Sequence, residues 1–496
     1  MSVAVVVVLA ALIATRILLI ATSYDVVANW EEPVFLFSAT ELPEAGWQHL
    51  FDFQDDLNHG ASLPLIVIAV FWVKLFGTSL VLLKGIAIVW SVLTLLALIV
   101  VAWRFFSPST ALVLALLYTF ASPALARLNV TLVGSHPESV LPCTLLLGAY
   151  MEWQRRQAGG RSPRWLAFVV GALAGLSLWT AYVSLMWLAA IGLDWLSRRR
   201  QTAVPHCLSP AFRVAPYGFC GLLLGFSPWL IQNLWLRPHG AWLWRSDALS
   251  STAPLLVVGT ASSFGFGTWL DTLVCASCLL ALLLATARIL GQVSSTTREQ
   301  LPIVLAAWFG LLLLCLARPP AQEGWYGSRF FIPEQVGLFW VVAFLLTGRW
   351  RTSVLAITVT AAAVLGIAGM LPLMERGNSY SPDLSRDRSE GCMVFGAAAL
   401  PRAGTSSAAV ADLERIGEAR CRQRAFAGLG WGLAERVIGN GDFGMVRADL
   451  NRLTPGMRRE ACGGFYFVMA KRPGATPAAF DAARREVASL CETSGR

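Results

Sequence analysis

The sequence predicts an all-α polytopic membrane protein, and three observations carry that class. The chain of 496 residues is 56% hydrophobic and only 14% charged, with a mean hydropathy of +0.60, where soluble domains carry about 25% charged residues. Apolar runs of membrane-crossing length recur through most of the chain, and helices are the structure such runs form, because lipid offers the backbone no other partners. Arg residues mark the ends of alternate runs, as short cytoplasmic loops do. The net charge of +9 is therefore orientation information and not the footprint of a nucleic-acid partner.

The runs predict about eleven spans, near 3–22, 79–102, 108–125, 138–153, 165–181, 183–197, 213–235, 268–289, 301–317, 334–348 and 353–373. The first lacks a charged start and a small-residue cleavage site and holds Arg16, so it is read as a retained span and not a signal peptide. The stretch 62–77 is short and broken by Lys74, which suits a helix lying in the interface. Arg104, the cluster from Arg155 to Arg164, the triplet Arg198-Arg199-Arg200, Arg288, Arg298, Arg349 and Arg351 all fall on one side. That places the N-terminus in the cytoplasm and everything after Met374 outside it, as for an integral protein of a bacterial inner or plasma membrane. Twenty Trp supply interfacial anchors.

The expected domains are a membrane domain, 1–374, and a soluble extracytoplasmic domain, 375–496. Cys143, Cys207, Cys220, Cys275, Cys278 and Cys315 lie in or beside apolar runs and read as packing residues. Cys392, Cys421, Cys462 and Cys491 lie in the polar tail and predict two disulfides there, with three pairings open. The tail reads as helix-rich, with Gly428–Leu433 and Gly439–Asp442 as turn or helix-end signals.

The densest chemistry sits in the first outer loop, 23–60. It holds Asp25, Glu31, Glu32, Glu41, Glu44, Asp52, Asp55 and Asp56, and no Lys or Arg. Such a block is either an ordinary external loop or a catalytic or cation-binding one. His136 and Glu138, at the start of the fourth span, read equally as a helix cap and as a functional polar pair.

Several motifs follow in a recognisable order. The acidic pair Glu31-Glu32 follows the first span. Asn58-His59-Gly60-Ala61-Ser62-Leu63-Pro64-Leu65 comes next, then Lys74-Leu75-Phe76-Gly77, then Leu83-Lys84-Gly85 at the second span. Ser122-Pro123 closes the third span, and Arg329-Phe330-Phe331-Ile332-Pro333 lies late. In that order they resemble the GT-C class of membrane glycosyltransferases, and most closely the family of protein O-mannosyltransferases and bacterial aminoarabinose transferases. The resemblance covers roughly residues 1–350. It departs in two places: the family's acidic pair is Asp-Glu, and its His-Pro-Pro is interrupted here.

The resemblance implies a GT-C-like bundle that moves a sugar from a polyprenyl-phosphate donor to a hydroxyl acceptor at the outer membrane face. The acceptor, whether protein, lipid or glycan, is open. Deprotonating a hydroxyl asks for a carboxylate base, and Glu31 or Glu32 is the candidate, with Asp25 also in the loop. A departing phosphate asks for cationic donors, and Arg329, Lys84, Lys74 and His59 are the candidates. A single displacement inverts the anomeric centre. No cofactor is required; the carboxylates are dense enough for Mg²⁺ or Mn²⁺, but no His/Asp spacing demands a metal. The alternatives are a transporter or flippase of a polyprenyl-linked lipid, which asks for repeat symmetry and ionisable residues at mid-membrane, and a non-catalytic membrane scaffold.

Overall fold

In the computed structural model, the described residues are 2–27, 32–53, 62–77, 80–159, 163–201, 210–232, 268–291, 295–317, 332–349, scattered positions at 360–368 and most of 392–491. All regular structure among them is helical. The membrane part runs α1 (Ser2–Val27), α2 (Glu32–Ala45), a 3-10 turn (Trp47–Phe53), α3 (Ser62–Phe76), α4 (Leu80–Phe105), α5 (Pro108–Thr119), α6 (Pro123–Leu128) and α7 (His136–Ala158). It continues with α8 (Arg164–Thr180), α9 (Leu185–Gln201), α10 (Pro210–Leu230), α11 (Thr268–Gly291), α12 (Ser295–Ala317) and α13 (Ile332–Arg349). The tail holds α14 (Ser406–Glu414), α15 (Ala419–Asn440), α16 (Phe443–Asn451) and α17 (Pro455–Lys471).

The bundle is inside-out in polarity. Val6 and Val7 of α1, Leu93 and Val100 of α4, Leu224 of α10 and Leu280 of α11 are exposed, while Arg16, Lys84, Glu32 and Asp194 are buried. Exposed aliphatic faces over buried charges suit a lipid solvent, and the chain is an integral membrane protein. Among the described residues, Val3–Thr22 and Leu82–Phe105 are each long and apolar enough to cross a membrane, and seven further apolar helices are shorter. The expected count of eleven spans is not confirmed by these helices. The third is a case in point. It stops at Thr119, and α6 restarts at Pro123 with Ser122 as its cap, the Ser122 hydroxyl accepting from the Leu125 N–H at 3.3 Å. Proline at the first helical position favours such a restart. The eleventh expected span falls largely outside the described residues.

Small residues let the membrane helices approach. Gly171 and Gly175 on α8 face Gly221 and Gly225 on α10. A Cβ at Gly171 would strike the Gly218 carbonyl, and one at Gly225 the Ala172 carbonyl. Each helix carries a glycine pair four residues apart, the spacing that brings membrane helices into backbone contact.

The central core joins α1, α4, α5, α7, α9, α12 and α13, with Trp340 and Phe344 against Phe106. The tail has its own core, built on Phe426, Leu429, Leu433 and Phe465. Of the three pairings open to its cysteines, the one formed is Cys392–Cys421 with Cys462–Cys491. Gly428–Leu433, expected as a turn or helix end, lies inside α15, where Gly428 and Gly430 admit neighbouring helices, while Gly439 sits at the helix end as expected.

Candidate functional site

The acidic stretch after the first span contains more structure than its composition announces. α1 runs on to Val27, and Glu32 opens a second helix, α2. Acidic residues suit the first turn of a helix, whose N–H groups point outward. α2 packs on α3 through Phe35, Leu36, Ala39 and Leu42, spaced for one helix face. Beside them Gly85 leaves room for the Trp72 ring, whose indole N–H donates to the Leu82 carbonyl at 2.7 Å and fixes α3 against the start of α4.

At this junction Lys84 of α4 meets Glu32 of α2. Lys84 Nζ lies 2.7 Å from Glu32 Oε1 and 2.8 Å from Oε2. The side chains are 0% and 1% exposed. The third member is the irregular segment 129–135. Its Val130 carbonyl accepts from Lys84 Nζ at 3.2 Å, and its Leu132 N–H donates to Glu32 Oε1 at 3.4 Å. A buried ion pair needs such extra bonds to offset its desolvation.

The segment is pinned from both ends. Glu138, in the first turn of α7, accepts N–H bonds from Val133 and Ser135, both at 3.0 Å. Of its two readings, the cap is the one realised. Gly134 has φ +76°, a left-handed conformation natural to glycine. A Cβ there would come within 2.9 Å of the Phe35 ring and 3.2 Å of the Ser62 backbone, so α2, α3 and the segment meet at a point without room for a side chain. Below it, Ser91 donates to the Asn129 carbonyl at 3.0 Å and Tyr118 to Asn129 Oδ1 at 3.3 Å. These residues, with Trp90 and Thr94, line a cavity of about 10 Å³, roughly one water in size. Arg16, fully buried in α1, donates to the Thr119 carbonyl at 3.1 Å. A polar column thus descends from the ion pair into the bundle.

Of the candidate residues, the structure brings Glu32 and Lys84 together. Lys74 is exposed at the C-terminal end of α3. Asp25 lies on the last turns of α1. Glu31, His59 and Arg329 lie outside the described residues. Among the described residues no three of His, Cys, Asp and Glu gather as metal ligands. Asn129 and Glu334 are buried groups that carry polar atoms without a hydrogen-bond partner, and Glu334 was not singled out from the sequence. Asn129 Nδ2 finds no hydrogen-bond partner. Glu334, on the first turn of α13, is 2% exposed, and neither carboxylate oxygen has a hydrogen-bond partner. Its carboxylate occupies the space a side chain at Gly310 would fill. An acid within an apolar run was the available signal for it.

The whole architecture matches a known one. The structure of ArnT from Cupriavidus metallidurans bound to undecaprenyl phosphate aligns over 98% of this chain and 78% of its own, with a TM-score of 0.51 at 13% sequence identity. The chain has the ArnT fold. The apo-state structure of ArnT aligns over 98% of this chain and 77% of its own, at 13% identity and a TM-score of 0.47. No protein-family profile and no curated protein matches the sequence. The ArnT-like fold confirms the expected architecture of an all-helical GT-C-like bundle. At this identity it speaks for the fold and not for the chemistry of individual residues.

Proposed function

We propose that the chain is a membrane glycosyltransferase that moves a sugar from a polyprenyl-phosphate donor to a hydroxyl acceptor at the outer membrane face, with inversion. The observation that carries the reading is the lysine of the Leu83-Lys84-Gly85 motif, held fully buried at the head of a membrane helix in a fold shared with a protein seen bound to undecaprenyl phosphate. The three donors of this ammonium are held by Glu32 and the Val130 carbonyl, and it would exchange one of them for a lipid phosphate, on which charge grows as the sugar leaves. Arg329, from the late Arg-Phe-Phe-Ile-Pro motif, is the second cation, and His59 and Lys74 are further candidates for the head group.

The two acids of the Glu31-Glu32 pair divide the work. Both Glu32 oxygens already bind the Lys84 ammonium, which commits this carboxylate to holding the cation. Glu31 is then the base that takes the acceptor proton, and Glu32 is the positioning group that holds Lys84. Asp25 and a divalent cation at the acidic loop remain auxiliary candidates. The outer placement of this loop rests on the arrangement of Arg residues, which also puts the N-terminus in the cytoplasm and the tail outside.

The test is a mass comparison of lipid and glycan extracts from cells with and without the gene. The expected result is a polyprenyl-phosphate sugar that accumulates when the gene is absent, together with the loss of one sugar from an acceptor. Identical extracts contradict the proposal.

A further inference from the structure

The two disulfides each join cysteines 29 residues apart, and the sequence around them repeats. Glu390, Cys392, Phe395, Arg402, Gly404, Ala408, Ala409, Arg415 and Cys421 recur, in order and at equal spacing, as Glu460, Cys462, Phe465, Arg472, Gly474, Ala478, Ala479, Arg485 and Cys491. The second copy begins about 70 residues after the first, room for two helical hairpins of roughly 35 residues, the unit from which helical solenoids are built. Helical residues between 392 and 400 are followed by α14, α15 by α16, and α17 by a helix at 485–491.

The first helices of these hairpins stack on one another through glycine. A Cβ at Gly396 would strike Ala425, and one at Gly428 would strike Met393. On the other side a Cβ at Gly430 would strike Ala461, and one at Gly464 would strike Ala427. α15 is clasped between its two neighbours, and every residue from Ala425 to Ala434 is buried. Contact from each unit to the next is the logic of a repeat array. α15 also touches α2, the helix that opens with Glu32.

We infer that the tail is an array of three helical hairpins whose middle unit seats α2 and so positions the Glu32–Lys84 pair. The inference rests on the transferase reading for its consequence but not for its test. Hydrogen exchange is measured on the full chain in lipid nanodiscs, comparing the wild type with Gly464→Val and Gly463→Ala. Gly464 lies against the α15 backbone, whereas nothing lies within 4 Å of a Cβ at Gly463. Gly464→Val is expected to speed exchange in both α15 and α2 by about tenfold or more while α8 and α10 stay protected, because local opening follows the loss of local packing. Gly463→Ala is expected to change neither. Faster exchange in α15 with α2 unchanged overturns the seating, and unchanged exchange in α15 overturns the array. If Gly464→Val does not accumulate, the wild-type chain treated with a phosphine reductant supplies the same comparison, and an unaltered α2 again overturns the inference. Because exchange needs no activity, a chain that transfers no sugar still decides the question.

Discussion

Lys84→Met is expected to destabilise the folded chain by about 3–5 kcal/mol, the cost of removing one partner from a buried ion pair. The substitution takes away the ammonium that both Glu32 oxygens bind and the donor to the Val130 carbonyl. The carboxylate must then protonate or draw in water, and α2 loses its tie to α4. Adding Glu32→Gln to Lys84→Met is expected to restore much of the stability, since a neutral pair avoids the desolvation of two charges. The amide can still accept from the Leu132 N–H. Thermal unfolding in detergent reads both variants, and undecaprenyl-phosphate binding reads the site. The double variant is expected to fold and not to bind. A stable single variant would mean that the ion pair contributes nothing to the fold. Wild-type binding in the double variant would remove Lys84 from the phosphate site.

The second large effect concerns the base. Glu31→Gln is expected to slow transfer by about 10²–10⁴-fold at unchanged protein level, the usual worth of a positioned general base. Glu32→Gln is expected to cost stability as well as rate, because it removes the charge that holds Lys84. The measurement is the initial rate of sugar transfer in membranes, normalised to folded protein, for each variant separately. Full activity in both would sink the carboxylate-base assignment. Loss of rate in Glu32→Gln alone, with no loss of stability, would move the base from Glu31 to Glu32.

The membrane class and the helix order were legible because lipid imposes one rule on the whole chain: backbone groups must be satisfied within each span. Lys84 stood out through the resemblance, as the basic residue of Leu83-Lys84-Gly85 at the second span. Its partner did not follow from sequence in the same way. Glu31 and Glu32 are adjacent, and that Glu32 opens α2 and meets Lys84 is a matter of tertiary packing. Glu138 was ambiguous until the bonds to Val133 and Ser135 showed it holding a turn. Ser122-Pro123 was legible as a motif but not as a break, although proline at a helix start has a known geometry. The tail misled most. Gly428, Gly430 and Gly432 read as turn formers, but in α15 the first two are sites of helix contact. The absence of a side chain serves both uses, and sequence alone does not separate them.

One measurement tests the central claim most directly. The purified chain in nanodiscs is supplied with a polyprenyl-phosphate sugar and a hydroxyl acceptor, and the lipid and the acceptor are analysed together. The account predicts release of free polyprenyl phosphate matched by transferred sugar whose anomeric configuration is opposite to that of the donor. Movement of an intact donor between leaflets, with no bond broken, would contradict it and identify a flippase instead.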